Sequence, residues 1–450
     1  MTAAPSPDLR LADLIGALSH ALDLTEGQPR GHCIRCCWIG FNLGAAIGFS
    51  REELSDLYYA LLLKDLGCSS NAARICQLYL ADDQSFKRDF KRIDGSLPQA
   101  LRFVLGHTGL TAPMAERFRA IINILRNGGE IARELIEARC HRGAEIAARM
   151  RFSAAVCSAI ENLDEHWDGR GKPEGRERRA IPQAAQIALL AQVADVFFMT
   201  EGRAAAIREI EARATTWFDP TLVDVFLALA DDDGFWSVLA APDLTARVLA
   251  LEPEDIIRRA DDDYLDDIAL AFAKVIDAKS PYTAGHSERV ALFTDLIAEE
   301  LGESPATRRT LRRAALLHDI GKLAIPNAIL DKPGKLTAEE FAVIKSHPVH
   351  SGAVLSGIAA FRTIAEVGLS HHEKLDGTGY PHGLKGDAIS RATRIVTIAD
   401  IFDALTAERP YRGPMPVSQA LALMEKDVGK ALDPEAFAAL TRAMRQADAA

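Results

Sequence analysis

The sequence predicts an all-α protein that is built from two copies of one helical module. Apolar residues recur at helical spacing along most of the chain, as at Leu292, Leu296 and Ile297. Alternating strand patterns are scarce, and the second half of the chain repeats blocks of the first half in the same order. Together these observations predict two tandem helical domains.

The repeat is visible at two offsets. At an offset of 254, residues 31–68 align without gaps on residues 285–322, and 11 of 38 positions are identical. At an offset of 208, residues 168–181 align on 376–389 with 7 of 14 identical. The first copy therefore carries about 46 more residues between its blocks than the second.

The repeat sets the expected domain boundaries. We expect one domain over residues 1–230 and a second over 264–450. The segment 231–263 is rich in aspartate and contains Pro242 and Pro253, so it predicts an acidic, partly helical connector.

Composition narrows the possible functions of this chain of 450 residues. The net charge is −11 and basic residues form no block, which argues against DNA binding. The N-terminal stretch 1–10 has no signal-peptide pattern, and the apolar stretch 187–199 is interrupted by Gln192 and Asp195, so no membrane span is expected. Seven cysteines, an odd number, predict reduced thiols and a cytoplasmic protein. Cys33, Cys36 and Cys37 resemble half of a zinc site, but without a second CxxC motif they are expected to be buried helix positions.

The second copy concentrates residues that bind metals. His318 and Asp319 end an apolar helical run, and His371 and His372 precede a glycine-rich turn. Asp400 lies within an apolar helix, where a lone charge is costly unless it is paired or bound to a metal. A carboxylate that bridges two cations, with imidazoles around each, explains this combination better than chance does.

The glycine-rich turn after the histidine pair predicts a flexible mouth for the site. It offers a carboxylate, two glycines with wide backbone freedom, an aromatic hydroxyl and a rigid proline; these are Asp376, Gly377, Gly379, Tyr380 and Pro381. Three other polar residues nearby are expected to have supporting or rim positions only: Asp403, His350 and His382.

Over residues 264–440, about 40% of the chain, the sequence resembles the HD-GYP domains of the HD phosphohydrolase superfamily. The resemblance is carried by five motifs: HDIGK at 318–322, IPNAILDKPGKLTAEEF at 325–341, HP at 347–348, HHEKLDGTGYP at 371–381 and ADIFDALTAERPYR at 399–412. It implies an all-α fold with a two- or three-metal centre, usually of iron or manganese. It also implies hydrolysis of cyclic di-GMP to linear pGpG, to GMP or to both.

The resemblance assigns roles residue by residue. The implied metal ligands are His286, His318, Asp319, His347, His371, His372 and Asp400. Asp319 is expected to bridge the metals and Lys322 to support the negative charge that builds up on phosphate oxygens, while Lys322 and the turn 376–381 contact the substrate. Tyr282 stands where three-metal members carry a glutamate, so we expect two divalent ions.

The first copy is expected to be non-catalytic. The repeat pairs His286 with His32 and Asp319 with Asp65, but it pairs His318 with Lys64, an ammonium that cannot bind a metal. With a small gap it pairs His371 and His372 with Glu165 and His166; the remaining pairings are His347 with Ala138, Tyr380 with Lys172, Asp400 with Gln192 and Lys322 with Cys68. This half is expected to sense, dock or regulate, and Lys64 and Lys172 could instead bind an anion.

Two alternatives to cyclic di-GMP hydrolysis stay open. One is a phosphohydrolase of the same kind that acts on another cyclic dinucleotide or nucleotide phosphate. The other is a signalling protein that binds a nucleotide without turnover. The first half could also provide contacts for a homodimer or for a signalling partner.

Overall fold

A computed structural model describes residues 9–94, 96–253, 258–408 and 413–449. Contacts within the chain divide it into two compact units, and we call Leu9–Ala260 the first unit and Asp261–Ala450 the second unit. Residues 409–412, which end the last motif, and residues 1–8, which contain most of the N-terminal stretch considered for a signal peptide, lie outside the described residues.

The prediction of an all-α fold is confirmed. Among the described residues of the first unit, the strands are β1 and β2, each two residues long, which pair antiparallel through Leu9 with Ala260 and Arg10 with Arg259. The remaining elements of this unit are α1 (Leu11–Thr25), α2 (His32–Ala46), α3 (Arg51–Leu63), α4 (Ala72–Tyr79), α5 (Asp83–Phe90), α6 (Leu97–His107), α7 (Met114–Arg149), α8 (Ala154–Glu161), α9 (Gln183–Glu201), α10 (Arg203–Ala212), α11 (Pro220–Ala230), α12 (Asp233–Leu239) and α13 (Leu244–Leu249), with a 3-10 turn at Arg178–Ala180.

The predicted connector 231–263 is not a separate segment. Its described residues up to Ala260 belong to the first unit, because α12 and α13 bury apolar side chains there. The Trp38 indole donates to the carbonyl oxygen of Phe235, and Arg10 donates to that of Leu249. The division therefore falls between Ala260 and Asp261, within the predicted connector.

The extra residues of the first copy form a helical elaboration. They fold as α6 and the N-terminal part of α7, which share a hydrophobic cluster with α4 and α5. Phe86 is at its centre, with ring centroids 4.3 Å from Tyr79 and 5.0 Å from Phe103. This hydrophobic cluster is a feature of the first unit that the repeat does not predict for the second.

The second unit repeats the helical plan without this elaboration. Its α-helices are α14 (Asp262–Asp277), α15 (His286–Glu300), α16 (Pro305–Leu317), α17 (Asn327–Leu330), α18 (Ala338–Ile344), α19 (His347–Leu355), α20 (Arg362–Ser370), α21 (Arg391–Thr406), α22 (Val417–Met424) and α23 (Pro434–Ala449). Short 3-10 turns lie at Pro281–Thr283, Ile320–Ala324, Ala359–Phe361, Gly386–Ala388 and Glu425–Asp427.

Local sequence sets the helix ends that matter for the site. Gly285 adopts a left-handed conformation, with φ +68°, directly before α15, so that this helix begins at His286. Ser304 accepts from the backbone N–H of Thr307 and has Pro305 after it, which starts α16. Helix α16 then ends at Leu317, and His318 and Asp319 follow at its C-terminal end.

One helix, α9, is long and apolar enough to cross a membrane by length and composition. However, 72% of its apolar window is buried inside the first unit. Its buried face includes the polar residues Gln192 and Asp195, both of which contact other buried side chains. These features are typical of the core helix of a folded domain.

Candidate metal centre

The predicted metal-binding residues converge at helix ends in the second unit. They lie at the start of α15, at the ends of α16 and α20, at the start of α19 and inside α21. Gly321 makes this approach possible, because a Cβ atom there would lie 1.9 Å from the carbonyl oxygen of His347. The glycine of the HDIGK motif therefore lets α19 come against the turn that carries Asp319.

Asp319 lies between two groups of histidines. Its Oδ2 atom is 3.4 Å from Nε2 of His286 and 3.3 Å from Nε2 of His318. Its Oδ1 atom is 3.2 Å from Nε2 of His347 and 3.6 Å from Nε2 of His371. One carboxylate therefore faces two separate imidazole pairs, one with each oxygen.

Each imidazole pair has a third potential ligand. Oδ1 of Asp400 lies 3.5 Å from Nε2 of His286, and these two residues form a compact donor group with His318. On the other side, the ring of His372 lies 4.2 Å from that of His371 and completes a donor group with His347. The structure thus brings together all seven residues that were predicted as metal ligands.

Hydrogen bonds at Nδ1 fix how the rings face the cluster. Nδ1 of His318 lies 2.7 Å from the carbonyl oxygen of Ala315, and Nδ1 of His347 lies 2.7 Å from that of Ile344. A carbonyl oxygen only accepts, so Nδ1 carries the proton in both rings. The Nε2 lone pairs then point into the cluster, as metal ligation requires.

His286 is oriented by a carboxylate instead. Its Nδ1 atom lies 2.7 Å from Oδ2 of Asp403, and Arg289 donates to both oxygens of the same carboxylate at 2.5 and 3.2 Å. Asp403 therefore holds the ring from behind and does not join the cluster. This is the supporting position that the sequence analysis expected for it.

Three buried polar atoms at the centre have no hydrogen-bond partner among the described residues: Nε2 of His286, Nε2 of His318 and Oδ1 of Asp319. Buried polar atoms are costly when they are unpaired. Imidazole nitrogens and carboxylate oxygens are also the donors that divalent transition metals prefer. The residues present therefore fit a metal centre.

The charge states of Asp319, His371 and His372 suit metal binding. Burial raises the pKa of Asp319, but the charges of His318 and Lys322 outweigh it and hold the pKa well below its usual range. Burial lowers the pKa of His371 to about 4 and that of His372 well below its ordinary value. A deprotonated carboxylate and neutral imidazoles are the ligand forms of these groups.

Burial lowers the pKa of His286, but its bonds to Asp319 and Asp403 outweigh burial and raise that pKa to about 9. Burial also lowers the pKa of His318, and the Asp319 charge likewise outweighs it and raises that pKa. An ion bound there therefore displaces protons.

Lys322 is held at the edge of the cluster. Its ammonium pairs with the Asp319 carboxylate, and its side chain is 18% exposed, whereas that of Asp319 is 2% exposed. A cation in this position is partly accessible while it touches the central carboxylate. The role of Lys322 next to an anionic substrate stays a prediction.

The glycine-rich turn divides into residues near the cluster and residues away from it. The ring of Tyr380 lies 4.8 Å from that of His372, and Pro381 follows it through a cis peptide bond. Asp376, by contrast, accepts from the backbone N–H and the hydroxyl of Thr378. The Asp376 carboxylate therefore caps its own turn, in which Gly377 has φ +81°. Asp376 is not part of the cluster of potential metal ligands.

Sequence reasoning missed the residue that anchors this turn. The buried carboxylate of Glu373 accepts from the backbone N–H groups of His382 and Leu384 at 2.7 and 2.9 Å. Gly379 lies so close to the backbone of Glu373 that a Cβ atom there would be 2.5 Å from the Glu373 Cα. The signal was present in the repeat, because Glu165 occupies the corresponding position at the offset of 208.

The first unit keeps the frame of this site. Nδ1 of His32 lies 2.6 Å from Asp195, and Arg35 donates to both oxygens of that carboxylate at 2.5 and 3.2 Å. Glu165 accepts from the backbone N–H groups of Glu174 and Gly175, as Glu373 does in its own turn. The supporting contacts are thus preserved where the metal-binding donors are not.

Two buried lysines lie at the centre of the first unit, and one of them, Lys64, stands where the second unit has His318. Nζ of Lys64 lies 3.0 Å from Nε2 of His32 and 3.2 Å from the side-chain oxygen of Gln192, and it pairs with the Asp65 carboxylate. Lys91, which follows α5, lies 3.7 Å from the other oxygen of Asp65. We call these residues the lysine cluster: His32, Lys64, Asp65, Lys91 and Gln192.

The structure corrects three pairings of the repeat. A Cβ atom at Gly67 would meet the carbonyl oxygen of Arg139, just as one at Gly321 would meet that of His347, so the counterpart of His347 is Arg139 and not Ala138. Gly171 contacts the backbone of Glu165 as Gly379 contacts that of Glu373. This match keeps the offset at 208 without a gap, and the counterparts of His371 and His372 are therefore Leu163 and Asp164, not Glu165 and His166.

The cysteine prediction is confirmed for the described residues. Cys33, Cys36 and Cys37 are buried in α2 as free thiols, and none of the seven cysteines forms a disulfide. Cys36 lies near His32 and Asp195. The Asp195 oxygens are already engaged by Arg35 and His32, which leaves this group without the free donors that a zinc site needs.

Comparison with known proteins gives matches that extend beyond the motifs. The family model described as "HD domain" matches residues 119–222 and 271–436. The chain is 54% identical over 434 residues to 3'3'-cGAMP-specific phosphodiesterase 3 of Vibrio cholerae, covering 96% of this chain and 94% of that one. It is 42% identical over 176 residues to the cyclic di-GMP phosphodiesterase response regulator RpfG of Xanthomonas campestris, covering 39% of this chain and 47% of that one.

A solved structure agrees along nearly the whole length. The crystal structure of a cyclic GMP-AMP specific phosphodiesterase from V. cholerae superposes with a TM-score of 0.68 at 48% sequence identity. The match covers 97% of this chain and 98% of that chain. Both units therefore have counterparts in a single solved protein.

Proposed function

Since the chain belongs to the HD phosphohydrolase superfamily, we propose that it is a metal-dependent phosphodiesterase that hydrolyses a cyclic dinucleotide in its second unit. The observation that carries the proposal is the position of Asp319, whose two oxygens face separate imidazole pairs. A carboxylate in this position suits a pair of divalent ions, and paired ions suit phosphodiester hydrolysis.

We propose two ions, iron or manganese, held in two adjacent ligand sets. One set is His286, His318 and Asp400, the other is His347, His371 and His372, and Asp319 is shared. When bound, such ions lower the pKa of water and neutralise phosphate oxygens. Tyr282 stands where family members with three metals carry a glutamate. Its side chain is 38% exposed and supplies no carboxylate.

The protein's own groups position the substrate around this centre. Lys322, partly exposed beside Asp319, contacts a phosphate oxygen and stabilises the negative charge that develops there. Tyr380 lies against His372 at the mouth of the site, where its ring borders the substrate. The product is the linear dinucleotide, formed when one phosphodiester bond is cleaved by water.

The comparisons favour 3',3'-cGAMP as the substrate over cyclic di-GMP, which the sequence predicted. The relative that matches along almost the whole chain is named for 3'3'-cGAMP, whereas relatives named for cyclic di-GMP, such as RpfG and that of Thermotoga maritima, match about 40% of it. We therefore propose 3',3'-cGAMP as the first candidate and cyclic di-GMP as the second. A panel of the two compounds with Mn²⁺ or Fe²⁺, read out by chromatography of the linear products, ranks them.

A double substitution tests the activity itself. We expect His318→Ala with Asp319→Ala to give a folded protein that holds no metal and releases no linear dinucleotide, because it removes the central carboxylate and one imidazole. Metal content, circular dichroism and product chromatography measure the three properties. His382→Ala is the control, since His382 is exposed and only its backbone N–H contacts Glu373. Unchanged turnover in the double variant would refute the proposal.

We also propose that the first unit is non-catalytic. Its lysine cluster places an ammonium against the donors that correspond to those of one ligand set. An ammonium has no lone pair for a metal and repels a cation. The same metal analysis bears on this point, because the double variant in the second unit should then hold no metal at all.

A further inference from the structure

The first unit contains an open cleft of about 900 Å³ that reaches the lysine cluster. Lys91 and Gln192, both members of the cluster, line this cleft. Phe90, Lys91 and Arg139 also line an adjoining cavity of about 510 Å³. The two spaces therefore meet at Lys91 and Arg139.

The charge of the cleft is opposite to that of the chain. Four cationic side chains line it, Lys91, Arg139, Arg170 and Lys172, against one carboxylate, that of Asp164. Three of the cations are paired with carboxylates, Arg139 with Asp164, Lys91 with Glu26 and Arg170 with Asp168, and Lys172 has no ion pair among the described residues. In a chain of net charge −11, a cleft with this excess of lining cations attracts an anion.

Two of the cationic residues are replacements and not remnants of a lost metal centre. Arg139 stands where the second unit has His347, and Lys172 stands where it has Tyr380. Lys91 caps the end of α5 as Lys345 caps the end of α18 at the offset of 254, so this cation is common to both copies. Loss of metal binding alone does not explain two new cations around one cleft.

An aromatic wall accompanies these cations. The rings of His166 and Trp217 stack with their centroids 4.0 Å apart, and both side chains line the cleft. The backbone carbonyl oxygen of Trp217 accepts from the N–H of Trp167, and that of Ala431 accepts from the N–H of Leu375 in the same way. Trp217 therefore has an indole where the second unit has the methyl group of Ala431. Aromatic walls next to lysine and arginine side chains are typical of nucleotide-binding sites.

We propose that this cleft is a second, non-catalytic site that binds a nucleotide. Its phosphate groups contact Lys91, Arg139 and Lys172, and its base packs against the wall of His166 and Trp217. The shared chemistry, a phosphate with a planar base, is found both in cyclic dinucleotides and in their linear or mononucleotide products. The ligands used in the test distinguish these sources.

The distribution of tryptophan gives a selective signal for this site. All four tryptophans, Trp38, Trp167, Trp217 and Trp236, lie in the first unit. The full chain, freed of metal by a chelator to prevent turnover, is titrated with 3',3'-cGAMP, cyclic di-GMP, their linear products, GMP and inorganic phosphate while tryptophan fluorescence is recorded. We expect a saturable change with at least one nucleotide, and its loss in Trp217→Phe.

Charge reversals test the phosphate contacts. We expect Lys172→Glu to weaken binding roughly tenfold or more. Arg176→Glu is the matched control, because Arg176 lies in the same loop, pairs with Glu174 and does not line the cleft. It should change the affinity by less than about twofold. Lys172→Gln provides a milder variant, and circular dichroism verifies that each protein is folded.

Each result of the titrations either supports or overturns the proposal of a nucleotide site. Tighter binding of a cyclic dinucleotide identifies the substrate class as the ligand, and tighter binding of a linear or mononucleotide identifies the product; both support the proposal. The proposal is overturned if no nucleotide changes the fluorescence, if inorganic phosphate saturates the site as well as nucleotides do, or if Lys172→Glu binds like the parent protein. Hydrolysis by the metal-loaded chain is measured separately and does not enter this result.

Discussion

The Nζ atom of Lys64 lies 3.0 Å from the Nε2 atom of His32, the ring nitrogen whose counterpart in His286 faces the Asp319 carboxylate in the second unit. The two histidines are held from behind by the same arrangement of aspartate and arginine. One repeat therefore places an ammonium where the other gathers donors for a metal.

Replacing Lys64 should destabilise the first unit strongly. Lys64→Met leaves the buried Asp65 carboxylate without its close partner, and breaking a buried ion pair in this way costs about 3–5 kcal/mol. Urea unfolding followed by circular dichroism measures the loss. Arg74→Met is the control, because Arg74 and Glu134 form an exposed pair, for which we expect about 0–1 kcal/mol. Equal losses in the two variants would contradict the interpretation of Lys64 as a buried structural cation.

Removing metal should destabilise the second unit. Chelation leaves Nε2 of His286, Nε2 of His318 and Oδ1 of Asp319 buried without partners. A ligand present at 100 times its dissociation constant stabilises the folded state by about 2.7 kcal/mol, so the thermal unfolding temperature should fall on chelation and recover with Mn²⁺. Asp319→Asn should abolish this response. An equal response in that variant would place the metal elsewhere.

Asp403 should act through His286. Asp403→Asn removes the carboxylate that accepts from Nδ1 of His286, and loss of such a supporting partner lowers metal affinity or activity by about 10–100-fold. Asp195→Asn makes the same change in the first unit. It should leave the hydrolysis rate per folded molecule unchanged. Metal titration and initial rates on both variants check this, and parallel losses in the two would argue against the assignment.

Glu373 should set the substrate turn. Glu373→Gln weakens the bonds from the backbone N–H groups of His382 and Leu384 and should cost about 1–3 kcal/mol. Because Tyr380 lies in this turn, against His372, KM for the cyclic dinucleotide should rise more than kcat falls. Glu165→Gln, its counterpart, should lose similar stability without changing KM. Steady-state kinetics and urea unfolding measure both effects, and an unchanged KM in Glu373→Gln would show that the turn does not contact substrate.

The amino-acid sequence alone predicts the helical class, the repeat and the residues of the second unit that meet around Asp319. These follow from local patterns, because helical periodicity and short motifs such as HDIGK depend on neighbours along the chain. The same patterns indicated that Lys64 could not serve as a ligand. They also located Asp403 as a supporting residue, since it lies one helical turn from Asp400.

The residues of the first copy that correspond to the histidines of the second are recognisable only in the folded protein. The register was ambiguous in sequence, whereas the close backbone contacts of Gly67 and Gly171 allow one pairing, with Arg139, Leu163 and Asp164. Lys91 aligns with Lys345 at the offset of 254, yet Lys91 lies 3.7 Å from Asp65 whereas Lys345 lies over the ring of Tyr380. A buried cluster is assembled by packing between distant segments, which local spacing does not encode.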